Sequence, residues 1–222
     1  MPKGIATVAL LAGLAAVASV AVVRLLADDR PETSSEPIVV TVGDHRLAIP
    51  RNVVRFAAER TTRPLNRLDL ALLWPELRGR GADDDARFDT PGLAPDVVVA
   101  TLTPAGVGLD SAARLATVWS RFFEGDPRPG PDGLVVRRMS AASGYAGEEI
   151  VFEPGAVRPF AARCYPLTPG EAPNVCLHVT IDAGLMAEWR FPAERLAEWR
   201  RLADALPARL AGWRAAAPDG GR

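Results

Sequence analysis

Three side chains of this 222-residue sequence are of types that could do chemistry close together: Cys164, Cys176 and His178. Both cysteines fall in "RCYPLTPGEAPNVC", residues 163–176, with eleven residues between them. Three chemistries fit such a set. Two cysteines on neighbouring strands can reach the Cα separation of a disulfide, roughly 4.4–6.8 Å. A thiolate at 176 and an imidazole at 178 share one face of a strand and could ligate a metal, with Cys164, His45 or a carboxylate completing the set. A redox pair is the third.

Spacing separates them. Zinc sites carry cysteines two to four residues apart, and redox pairs carry C-x-x-C; neither pattern is present. A structural disulfide between Cys164 and Cys176 is therefore expected, provided that the body of the chain lies in an oxidising compartment. Closing a loop of this size stabilises a fold by about 3 kcal/mol in the chain-entropy picture. No metal or other cofactor is expected.

Other catalytic signatures are sparse. His45 follows a turn signal and reads as solvated. His178 lies in a strand-like run and reads as a partly buried, hydrogen-bonded imidazole; it is the one catalytic candidate we name. There is no G-x-S-x-G, no S-x-x-K and no glycine-rich phosphate loop after a strand. Lys3 is the only lysine, so the body has no lysine nucleophile. The acidic run Asp83, Asp84, Asp85 lacks the spacing of a calcium loop and reads as a solvated loop. Glu148 and Glu149 could serve glycoside chemistry, and no pattern singles them out.

These residues need a scaffold and a compartment. Residues 5–23, "IATVALLAGLAAVASVAVV", carry no charge. At about 1.5 Å per residue such a helix crosses a hydrocarbon core of roughly 30 Å. We read residues 1–27 as a transmembrane signal anchor contacting the inner membrane through residues 4–27. Ala16-Val17-Ala18 has the small-x-small form of a signal-peptidase site, so a cleaved signal is the competing reading. A short N-terminal tail with Lys3 places residues 28 onward in the periplasm. Ala9/Gly13 and Ala12/Ala16 are small-xxx-small pairs through which two spans could form a homodimer.

Residues 28–37 read as a polar linker, 38–215 as one α+β domain, and 216–222 as a disordered tail. The runs at 38–42 and 45–49, around Gly43-Asp44, have the pattern of a hairpin. Strand-like runs follow at 68–74, 96–102, 134–139, 148–153, 160–165, 175–181 and 185–191. Their short connections favour antiparallel pairing. Asp110 reads as the N-cap of an amphipathic helix to about Glu124, and Pro192 as the first residue of a final helix that Pro207 should kink or split. The expected architecture is an antiparallel sheet packed with two amphipathic helices. The five tryptophans fall mainly on apolar faces and read as core.

The stretches "VTVGDHRLAIPRNVVRF", "LDLALLWPEL" and "PFAARCYP…VCLHVTI…EWRFP…RLAEWRRL" together resemble a group of small single-span proteobacterial envelope proteins to which no activity is assigned. In that group an "IP-x-N" segment precedes "L-x-L-x-x-WP-x-L". A cysteine before a loop and another after it are followed by an aromatic-R-F strand and an "L-x-x-W" helix. The resemblance implies an envelope location and a paired-cysteine hairpin, and it assigns no functional residue.

Hydrophobic residues are 48% of the chain, charged residues 24%, and the formal net charge is −1. That balance gives no electrostatic footprint for nucleic acid. Two function classes remain. The first is a membrane-anchored, non-enzymatic binding module whose partner is another envelope protein or an incoming toxin, as for an immunity factor. The second is a periplasmic hydrolase, metal-assisted through His178, Cys176 and a carboxylate.

Overall fold

The computed structural model describes residues 31–90, 92–168, 171 and 174–217. The expected span, residues 4–27, and its small-xxx-small pairs lie outside the described residues. Among the described residues no helix is long and apolar enough to cross a membrane.

The domain is α+β, as its strand signals predict. β1 (Pro37–Val42) and β2 (His45–Pro50) form a hairpin about the turn at Gly43-Asp44. Gly43 has φ of 56°, which a side chain would resist. The pairing extends upstream of the strand, because the Ser34 and Glu36 carbonyls accept from the amides of Asn52 and Arg51.

The hairpin stands apart from an eight-stranded sheet. Its strands are β3 (Leu68–Leu73), β4 (Val97–Pro104), β5 (Phe123–Pro129), β6 (Val135–Met139), β7 (Glu149–Phe152), β8 (Ala161–Tyr165), β9 (Val175–Asp182) and β10 (Leu185–Pro192). Their spatial order is β3-β4-β10-β9-β8-β7-β6-β5, and every pair is antiparallel. The segment from β5 to β10 is thus one continuous meander whose last strand returns to lie beside β4.

Helices cover both faces unevenly. After a single turn, α1 (Asp85–Phe88), come α2 (Ser111–Thr117) and α3 (Trp199–Ala215). Trp199, Leu202, Leu206, Leu210 and Trp213 recur at helical spacing along α3 and are all buried. They share one core with Leu47 and Ile49 of the hairpin and with Trp189 and Phe191 of β10. On the opposite face, Leu115 of α2 and Trp119 form a second cluster with Met139, Ile150 and Ala161. All five tryptophans are buried.

Two local expectations need correction. The helix begun by Asp110 stops at Thr117, where Val118 takes φ −119°, ψ −65°, and a 3₁₀ turn follows. The proline-rich stretch after it is an edge strand, β5; an edge tolerates prolines because one side of its ladder needs no amide donors. Pro192 ends β10, and a 3₁₀ segment precedes α3, which runs through Pro207 as one helix. Packing of its apolar stripe offsets the hydrogen bond that proline removes.

Candidate functional site

The disulfide is in place. Cys164 and Cys176 are directly opposed on β8 and β9, bonded, with Cα atoms 4.0 Å apart. Both are buried. The sulfur of Cys176 is therefore engaged and offers no thiolate to a metal, which removes it from the ligand set considered with His178. Among the described residues no group of three His, Cys, Asp or Glu side chains is placed to hold a metal ion.

β8 and β9 part just beyond this bond. Their last paired residues are Arg163 and Leu177. Continuing that register would set Ala161 opposite Val179. Instead the Val179 amide donates to Ser111 Oγ at 2.8 Å, and the Ala161 carbonyl accepts from His178 Nδ1 at 2.8 Å. Two side chains thus replace a ladder hydrogen bond, as buried backbone groups require. Asp110 fixes Ser111, because its carboxylate caps α2 by accepting from the Ala113 amide at 2.8 Å.

The parting opens a groove of about 650 Å³ between the splayed strands and α3. His178 sits in it with 8% of its surface exposed. Its Nδ1 donates to a carbonyl, so the neutral ring carries a lone pair on Nε2. Burial lowers its pKa, against the opposing pull of the Ala161 hydrogen bond and the Asp110 charge. Phe160 stacks on the imidazole at 4.7 Å and tilts against Trp199 at 5.4 Å. The rim is charged: Asp110, Glu153, Asp182 and Asp204 against Arg158 and Arg200. Arg158 is tied to Asp110 at 2.9 Å, Arg200 to Asp132, and Arg214 to Asp182 at 2.7 Å.

The other face of the sheet carries a polar network. Arg190 donates to Thr101 Oγ at 3.1 Å, Thr101 to Asp69 at 2.7 Å, and Arg67 grips Asp69 through two nitrogens. Burial alone would raise the Asp69 carboxyl, yet the Arg67 and Thr101 hydrogen bonds hold it below its ordinary pKa. Glu59 accepts the Asp69 amide, and burial raises its pKa.

The remaining sequence candidates are dispersed. Glu148 is paired with Arg163 at 2.6 Å and Glu149 with Arg128, so both carboxylates are committed to ion pairs. His45 is half-buried against the turn glycine Gly184 rather than solvated. Of the acidic run, Asp84 is buried; it accepts from Arg78, from Arg87 at 3.2 Å and from the Gly81 amide at 2.7 Å. The Arg78 guanidinium holds its carboxyl well below the usual carboxylate range. Sequence reasoning reached His178 and the Asp110 cap but missed Glu153, Phe160 and Asp204. The one local signal for the groove was Pro207, a helix-interior proline on its wall.

No protein-family model matches the sequence, and no curated protein matches it. Among solved structures the chain is similar to an immunity protein of the Stenotrophomonas maltophilia type IV secretion system. The identity is 15%, the TM-score 0.56, and the match covers 82% of this chain and 94% of that one. At that identity the likeness shows a shared fold.

Proposed function

We propose that this protein is a periplasmic binding module, anchored in the inner membrane through residues 4–27, that neutralises a secreted toxin as an immunity protein does. The observation that carries the reading is the fold likeness to nearly the whole of an immunity protein of a secretion system. Three features agree with it. The buried disulfide suits an oxidising compartment. The apolar N-terminal stretch is long enough to tether the domain there. Glu148 and Glu149, the carboxylates that glycoside chemistry would use, are held in ion pairs.

The reading is tested by pulling the full chain down from crosslinked membranes, identifying the captured toxin, and mixing the purified toxin with this chain. A complex that co-elutes on gel filtration in a fixed ratio is expected. Separate elution at micromolar concentrations of both would contradict it.

A further inference from the structure

The groove beside His178 holds more acceptors than the protein itself uses. Asp110 and Asp182 are paired with arginines, but Glu153 and Asp204 have no side-chain partner among the described residues. His178 is more than nine-tenths buried and lines the same groove, and its Nε2 has no protein partner there. A further acceptor comes from α3. Pro207 has no amide hydrogen, so the carbonyl of Ala203, one turn back, loses its helical donor, and both residues line the groove.

Of these acceptors His178 is buried, Glu153 is partly exposed and Asp204 is exposed, and the two carboxylates stand without the counter-charge that a cationic ligand would supply. The walls between them are apolar and aromatic, from Phe160 and Trp199. A long apolar stem ending in several N–H donors and a positive charge matches this combination, which is the make-up of arginine and lysine. The rim charge agrees, with four carboxylates against two arginines that are both already paired.

We propose that this groove receives an arginine or lysine side chain of the partner protein, its stem against Phe160 and Trp199 and its head shared by Glu153, Asp204 and His178 Nε2. The proposal rests on the immunity reading for the identity of the partner. The chemistry of the groove stands apart from it. Arginine seated against aromatic walls is a recurrent interface anchor.

The test uses N-acetylargininamide as the probe and the ring resonances of the two histidines as the readout, in the full chain. His45 serves as the internal control. A saturable shift at His178 alone is expected. The neutral isostere N-acetylcitrullinamide should give none, and the Glu153→Gln/Asp204→Asn variant should weaken the response at least tenfold. An unmoved His178, an equal response to citrulline, or an unchanged variant would overturn the proposal. Because the probe needs no toxin, probe binding by a chain that neutralises nothing counts against the immunity reading alone. An unmoved His178 in a chain that does neutralise counts against the groove alone.

Discussion

Ser111 Oγ accepts the amide hydrogen of Val179, the donor that the β8–β9 register assigns to Ala161. That substitution lets two neighbouring strands part without stranding a backbone donor, and the groove exists because they part. Ser111 is fully buried, so its hydroxyl has no other role to play at the surface.

Replacing Ser111 by alanine leaves the Val179 amide buried with no acceptor. A loss of about 1–3 kcal/mol is expected, measured by urea unfolding. Hydrogen exchange at Val179 should accelerate more than at Leu177, whose residue is still paired in the ladder. A Ser111→Ala variant as stable as the parent would show that water replaces the hydroxyl.

The disulfide closes a short loop between adjacent strands. The Cys164→Ala/Cys176→Ala variant should lose about 3 kcal/mol, and reducing agent should lower the midpoint of the parent while leaving the variant unmoved. Equal midpoints for the parent with and without reductant would contradict a structural bond.

His178 makes stability depend on pH in a defined direction. In the unfolded chain an imidazole titrates near about 6.5, and in the fold burial holds it lower. Between those two values the unfolded chain binds more protons, so stability falls as pH falls through the window. Above it the contribution is fully present. The His178→Asn variant, whose side-chain amide can still donate to the Ala161 carbonyl, should flatten the slope of unfolding free energy between pH 7 and 5. An unchanged slope would mean that the imidazole is free to charge in the fold.

Asp84 ties together the loop before α1. Asp84→Asn keeps its size but removes the charge that Arg78 and Arg87 bond. Because both arginines are partly exposed, the expected cost is about 2 kcal/mol by urea unfolding at pH 7. The buried-carboxylate account fails if the variant is neutral.

How much of this was legible beforehand follows from the range of the forces involved. Alternation and turn signals are local, so the hairpin about Gly43, the seven strand-like runs and the α3 stripe could be read from the sequence. The edge strand Phe123–Pro129 could not, because its prolines signal a loop until the edge position is known. Pro207 misled in the same way: tertiary packing of Leu202, Leu206 and Leu210 overrides its local cost. The groove was invisible because it depends on a failure of pairing between Ala161 and Val179, and on Glu153 and Asp204 lining one groove from a strand end and a helix far apart in the chain. The cysteine pair was legible since opposed strands around a short loop bring the two residues together.

The central claim is that this domain acts by holding a toxin on the periplasmic side of the membrane. Its most direct test is the growth of cells that export the captured toxin to the periplasm, with and without this chain. The account predicts that the anchored, exported chain restores growth and that the same chain retained in the cytosol does not. Killing that proceeds regardless of the exported chain, or rescue that persists with the cytosolic form, would contradict it.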